Sequence, residues 1–516
     1  MALNAGTCHE VRGGSGDNAN GGGCRGNGIT PAGSAPSTST ATTGGTVAAN
    51  TYYVRTALAN GNGEGPMSAQ ATQVTTGSTS TLTTVSPTAP SGSYASLYSV
   101  YMSTSATGPY WQQSTGNLIG VNYTRTTTPA TSGIQPIGVD YSQQNAAQKV
   151  LDLVTITATV HTTTTQISIL TGWTVDANYV GNLLNINGGT ATAGLYEIQG
   201  VDIANNRLLL DRSAGTAAQT VVGNIGGALN TLAQAATNRI VGNTVWVKSG
   251  TYNETLSSAA SSTWIGYDAT RGDEPTGTGR PLIDGQSTRT NCISVSGGGH
   301  GIFHFRCTGA TGAGVNTTQA SNFDYVKSSS NGGNGFTLQT ACNISFCESA
   351  SNTGVGFSGS TTISGFCCWS HDNTGIGFAG GLDLDFCVAS QNAGHGIDGS
   401  SRSQLTNCVA YGNTGTTDGI RVIVSSMVHN CISQNNGRYG FSFVGASPYT
   451  MISDYNCSYG NTTAQFSTWN RGPHDVVADP LMVDPGNATA SLRDFSLQGG
   501  SPCRNVGAFS IPGSLN

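Results

Sequence analysis

Charge is what this 516-residue chain has least of: 9% of its residues are Asp, Glu, Lys or Arg, against roughly 25% in ordinary soluble domains. Lysine is scarcer still, with only Lys149, Lys248 and Lys327, and the formal net charge is -6. Affinity for nucleic acid rests on basic side chains meeting phosphates, so no nucleic-acid partner is expected. Long apolar runs are missing as well. No stretch approaches the roughly 20 apolar residues of a membrane span, and residues 1–20 lack a basic start followed by an apolar run. Neither membrane insertion nor a secretion route is expected. What the chain has in excess is Gly, 73 residues of it, with much Ser, Thr and Asn. That is the composition of an all-β protein with many corners and a neutral, hydroxyl-rich surface.

One phrase recurs six times, an Asn followed four to six residues later by Gly and an apolar residue. The copies begin at Asn331, Asn352, Asn373, Asn392, Asn413 and Asn436 and end at Phe336, Phe357, Phe378, Ile397, Ile420 and Phe441. Five residues before each Asn stands Val326, Cys347, Cys368, Cys387, Cys408 or Cys431. A period near 21 residues is too short for a helical pair and lacks leucine-rich spacing, which leaves a right-handed parallel β-helix. Stacked coils put equivalent residues about 4.8 Å apart, so the cysteines read as an inward file of small apolar thiols without bridges. Cys8 and Cys24 lie outside the file, and a bridge or a metal role for Cys8-His9 is open. The Asn file reads as structural, since Asn tolerates a left-handed corner and its amides bond up and down a stack.

Residues 1–45 hold too little apolar content to fold alone and read as an extended arm. Short alternating runs between turns over 46–130, such as Thr51-Tyr52-Tyr53-Val54-Arg55 and Tyr98-Ser99-Val100-Tyr101-Met102, indicate a β-sandwich. Residues 131–227 read as a second small β domain. The solenoid follows over 228–460, opening with a capping helix at 228–236 and running for on the order of ten coils. Residues 461–516, rich in Pro, form a C-terminal cap.

Three resemblances attach to these residues. The stretches TYYVRTALANGNGE and YSVYMSTSATGPY resemble a fibronectin type III module. Residues 240–510, with GNTVWVKSGTYNETL, the N-x-G-x-G-[FI] coils and DPLMVDP followed by DFSLQGGSPCRNVG, are similar to the parallel β-helix superfamily of pectate lyases and phage tailspikes. EVRGGSGDNANGGG, GVDYSQQNAAQ and the GNLLNINGGTATAGLYEI stretch resemble leading segments of bacteriophage virion proteins. The resemblance implies a virion structural protein: a spike, tail fibre or head (capsid) decoration at the particle surface, assembled in the bacterial cytoplasm. Residues 1–227 would meet other virion proteins, the β-helix would meet host-surface polysaccharide, and such spikes form homotrimers.

Two columns beside the repeated Gly carry unusual polar residues, and they bring His395, Asp398, Asp418, Arg421 and Tyr439 onto three adjacent coils. An acid, a base and a cation together suit sugar-acid elimination or glycoside hydrolysis. A surface ion-pair cluster explains the same residues. Tyr439 and an outward Trp369 are candidates to stack on sugar rings. The pectate lyase pattern of clustered Asp for calcium with an Arg or Lys base finds no match, so no metal or cofactor is expected and the reading leans away from an enzyme. The alternatives are a polysaccharide lyase or glycoside hydrolase on the same spike, and a bacterial surface adhesin.

Overall fold

The computed structural model describes residues 7–504 apart from 26–33, 61–62, 90–96, 134–153, 161–164, 169–173, 176–178, 180–181, 203–204, 217, 270–272 and 446–450. The leader motif GVDYSQQNAAQ falls outside the described residues. The chain divides into two compact units, residues 1–246 with 270–272, and 247–269 with 273–516.

In the first unit the polar start is not one extended arm. Thr7–Val11 pairs antiparallel with Gly23–Arg25, which sets Cys8 opposite Cys24. Between those strands the backbone N–H groups of Arg12 and Asp17 donate to Leu229 and Ala228, and the Asn20 amide donates to the Ala228 carbonyl at 2.8 Å. A segment too polar to build a core is thus held by hydrogen bonds to a neighbour. Thr38–Ala41 pairs with Thr81–Thr84, so these residues belong to the sandwich rather than to the arm. Its two sheets enclose Val47, Tyr52, Val54, Leu58, Leu82, Tyr98, Val100 and Met102. Six further strands between Val154 and Ile225 close a barrel around Leu184, Ile186, Tyr196, Ile198 and Leu208.

The helix expected over 228–236 is Leu232–Asn238. Thr231 sets its start, its Oγ1 accepting the Gln234 N–H at 3.2 Å. Ala228 and Leu229 stay outside it because their carbonyls are taken by the N-terminal segment.

The second unit is a right-handed parallel β-helix whose coils feed three parallel ladders. The first ladder has ten strands, from Thr251–Tyr252 through Arg306–Thr308, Lys327–Ser329, Glu348–Ala350 and Trp369–His371 to Cys457–Tyr459. The second includes Phe336–Leu338, Ile397–Gly399 and Ile420–Ile423; the third includes Ser321–Asp324, Cys342–Ser345 and Gln404–Thr406. In two coils they run together as Phe357–Phe366 and Phe378–Asp385. Phe336, Phe357 and Phe378 stack inside at 4.6 and 4.8 Å between ring centroids.

Cys347, Cys368, Cys387, Cys408 and Cys431 are buried and unbridged. Cys457 departs from that file and continues the outward column after Ile432, because Asn456 takes the inward place and accepts the Cys431 N–H at 3.0 Å. The Asn file is buried along its whole length. Asn352 Oδ1 accepts both the backbone N–H and the side-chain amide of Asn331, at 3.0 and 2.9 Å, and the same double bond links Asn352 to Asn373, Asn373 to Asn392, Asn392 to Asn413 and Asn413 to Asn436.

These Asn residues do not themselves occupy the left-handed corner. The residue before each does: Ser330, Ser351, Asp372, Gln391 and Asn435 have φ of 54–56°, and Gly412, before Asn413, has φ 60°. A non-Gly residue there costs about 1–2 kcal/mol, and the Asn beside it offsets that by satisfying buried backbone groups. The phrase's Gly has a different reason. A Cβ on Gly356 would lie 2.0 Å from Ser370 Oγ and 2.5 Å from the Gly377 carbonyl of the next coil, so coil contact itself excludes a side chain.

Replacing Asn373 by Ala removes the acceptor of the buried Asn352 backbone N–H and one of the three acceptors of the Asn352 side-chain amide, which keeps the Ser328 carbonyl and Ser349 Oγ. The expected loss is about 3 kcal/mol, read as a lowered denaturant midpoint. An unchanged midpoint would show that the amide file is not what holds the coils.

Candidate functional site

The patch expected from the sequence does come together. Asp398, Arg421 and Ser442 stand in register on the second ladder, and Arg421 Nε lies 2.9 Å from Asp398 Oδ1. His395 Nδ1 accepts the Asp418 backbone N–H at 2.8 Å, while its Nε2 is 3.3 Å from Arg421 Nη1. The fixed backbone donor occupies the Nδ1 lone pair and Nε2 faces the donor-only Arg421 guanidinium, so neither nitrogen is open to take a proton from a ligand. Burial holds the His395 pKa below its ordinary value despite Asp398 and Asp418 nearby.

Asp418 is not at the surface. Its side chain is fully buried, gripped by Arg438 Nε and Nη2 at 2.6 and 2.7 Å and by the Ser442 hydroxyl at 2.6 Å. Burial raises its pKa, but the bonds from Arg438 and Ser442 outweigh that and hold it below the usual carboxylate value. Arg438 is one residue outside the columns that point to this patch. Tyr439 is half-buried under the Arg438 guanidinium, 4.9 Å from its ring centre. The cluster is an ion network closed around a buried carboxylate.

Trp369 does point away from the coil interior, but it is covered. The antiparallel pair Met482–Asp484 and Asp494–Leu497 lies along the solenoid's flank, so this part of the C-terminal segment is a strap rather than an end cap. The reason is in the first ladder's outer column, which reads Leu282, Arg306, Lys327, Glu348, Trp369, Val388, Val409, Ile432 and Cys457 in register. Its second half is apolar, and Met482, Phe495, Leu497 and Cys503 bury it. Trp369 meets Phe495 edge-on at 6.2 Å and donates from Nε1 to Ser390 Oγ at 3.0 Å. At 5% exposure it offers no face to a sugar.

The first half of that column stays open, and there the structure holds a cavity of about 530 Å³. Arg306, Lys327, Glu348, Trp369 and His371 form its floor, Arg280 stands to one side and Thr489–Ser491 of the strap form the opposite wall. Lys327 Nζ is 2.7 Å from Glu348 Oε1, which also meets His371 Nε2 at 3.0 Å. His371 Nδ1 is 2.7 Å from Asp372 Oδ2, and Asp372 receives Arg493 of the strap through two bonds of 3.0 Å. One continuous charged chain therefore runs from the cavity floor to the strap.

With a carboxylate on each nitrogen, His371 is an imidazolium. Burial opposes that charge, but the bonds to Asp372 and Glu348 outweigh it and raise the pKa above 6.5. Burial likewise pushes Glu348 and Asp372 up, and the bonds from His371 and Lys327 to Glu348, and from His371 and Arg493 to Asp372, bring both below their ordinary values. A carboxylate so stabilised is a weak base. Among the described residues no group of three or more His, Cys, Asp or Glu side chains could hold a metal ion.

Beside the open column, at the corner leading into it, runs a file of partly exposed rings. His304 stacks on Tyr325 at 5.2 Å and Tyr325 on Phe346 at 4.8 Å, with Phe366 and Phe386 continuing edge-on. Neither the cavity nor this file was expected from the sequence. The signal was available in Arg306, Lys327 and Glu348, spaced by 21 residues immediately after the inward file.

No protein-family model matches the chain, and no curated protein sequence matches it. Among solved structures it is similar to pectate lyase Pel9A, with 15% identity over 53% of this chain and 85% of that one and a TM-score of 0.37. It is also similar to the ORF18 protein of Geobacillus virus E2 (11% identity, 44% and 55% covered, TM-score 0.29) and to tailspike protein 3 of bacteriophage CBA120 (13%, 46% and 47%, TM-score 0.29). The chain thus spans about half the length of the two phage proteins. What it has in common with all three is the parallel β-helix, and the ladders above carry that statement by themselves.

The charged chain under the strap has a defined pH window. His371, with a raised pKa, stabilises fully below 6.5 and loses its contribution as pH rises through the folded value; Glu348 and Asp372, with lowered pKa values, stabilise fully above about 4.5 and lose theirs as pH falls through the folded values. The three contributions overlap fully between about pH 4.5 and 6.5. His371→Asn should therefore lower the melting temperature more at pH 6 than at pH 9. An equal loss at both would contradict the imidazolium.

Proposed function

We propose that this protein is a bacteriophage virion structural protein, a spike, fibre or head-decoration component at the particle surface, whose β-helix engages host-surface glycans. The observation that carries the glycan half is the open groove. It combines a cavity of about 530 Å³ with fixed polar groups on its floor and stacked rings at its edge, which suits a ligand that is polar at its rim and apolar on its ring faces. The leader motifs over 1–227 support the virion half, with the sandwich as a fibronectin type III-like module inserted in that leader. Other virion proteins would meet that region, and the solenoid would project as one member of a homotrimer.

A polysaccharide lyase or hydrolase is the second reading, favoured by Glu348 and His371 at 3.0 Å in the groove. It is the weaker one, because Lys327 and His371 already stabilise the Glu348 carboxylate. A bacterial surface adhesin has no separate observation in its favour.

Purified full-length protein incubated with host capsule or lipopolysaccharide should bind it without shortening its chains. Lys327→Ala should weaken binding by about tenfold, while Asp398→Ala and Asp418→Ala should leave it unchanged in the folded fraction. Chain shortening abolished by Asp398→Ala or Asp418→Ala would overturn the binding reading and move the site to the ion network. Recovery of the protein in cell envelopes rather than particles would overturn the virion reading.

A further inference from the structure

Of the cations around the groove, Lys327 has a partner in Glu348 at 2.7 Å, whereas Arg280 and Arg306 have no carboxylate within ion-pair distance among the described residues. Both are nevertheless held in place. Arg280 donates from Nε to the Pro275 carbonyl at 2.9 Å and lies over the Tyr325 ring at 5.5 Å. Arg306 donates from Nε to the Arg280 carbonyl at 3.1 Å and from Nη2 to the Thr278 carbonyl at 3.2 Å. One edge of each guanidinium is fixed by main chain, and both terminal nitrogens of Arg280 and Nη1 of Arg306 have no hydrogen-bond partner among the described residues.

The arrangement is electrostatically incomplete. Burial lowers the pKa of both groups, and Arg306 lowers that of Arg280 further. The acids that act on Arg280 do not neutralise the pair: Glu348 is shared by Lys327 and His371, and Asp324 feels Arg280 only at a distance. Two partly desolvated guanidiniums that line one cavity, with Arg306 anchored on the Arg280 carbonyl, match an oxyanion, which accepts forked N–H bonds and removes their mutual repulsion. We infer that the groove takes an anionic ligand, with a carboxylate, sulfate or phosphate group bridging Arg280 and Arg306 beside the Tyr325 ring. In a glycan this group is a sugar acid or an acidic ester. The inference rests on the glycan-binding reading for its carrier, but not for the anion.

Calorimetric titration of the full-length protein tests it with four probes: a uronic-acid oligosaccharide, a sulfated oligosaccharide, a neutral oligosaccharide of equal length, and inorganic phosphate. The acidic oligosaccharides should bind at least about tenfold more tightly than the neutral one, with affinity falling as salt rises. Arg306→Gln should erase that preference, a loss of about 10- to 100-fold for one charge-assisted fork, and Arg306→Lys should restore only part of it. If Arg306→Gln does not fold, Arg280→Gln serves, since Arg280 and its Nε anchor Pro275 lie outside the strands of the ladders. Preference for the uronate or for the sulfated probe identifies the source of the oxyanion, and either supports the site. Phosphate binding that Arg306→Gln abolishes, with no oligosaccharide bound, keeps the anion site and defeats the glycan reading. Neutral and acidic probes binding equally, without response to Arg306→Gln, overturn the anion site and leave the glycan reading standing. Binding of none of the four overturns both.

Discussion

The double hydrogen bond between successive Asn side chains is the constraint on which the rest of the solenoid depends. Each amide accepts two donors from the coil before it and gives its own to the coil after, so a slip by one residue would strand several buried polar groups at once. Hydrophobic stacking of Phe336, Phe357 and Phe378 adds stability but is tolerant of small shifts. The amides are not. They also explain how a chain with so few charges keeps sharp corners at Ser330, Ser351, Asp372 and Gln391 without glycine.

Fixed register has a consequence on the outside. Because every outer position of the first ladder falls in one line, the sequence can divide that line into a charged stretch, Arg306 to Glu348, and an apolar stretch, Val388 to Ile432. The apolar stretch must be covered, and the strap covers it. The charged stretch borders the open cavity, and beside it Arg493 of the strap engages Asp372. The groove is the boundary between these two halves, with its floor from the coils and one wall from Thr489–Ser491, far along the chain.

That origin explains what was and was not legible beforehand. The coil period, the inward Cys file and the Asn stack were visible because each repeats at constant spacing and each has a local physical reason. The grouping of His395, Asp398, Asp418 and Arg421 was visible for the same reason. The burial of Asp418 was not, since it depends on Arg438 and Ser442 closing over it from the next coil, and Arg438 lies one residue outside the columns that point to the patch. Trp369 showed its direction by alternation, but its cover comes from Phe495, which no period connects to it. Arg280 and Thr489–Ser491 lie outside the repeat altogether, so the cavity they help enclose has no signature in any column.

We place the ligand at this boundary rather than at the ion network around Asp418. Amide hydrogen exchange on the full-length protein, with and without host polysaccharide, tests it directly. Added protection is expected in peptides containing residues 276–282, 306–308, 327–329 and 488–493, with none over 395–442. Protection confined to 395–442 would contradict it.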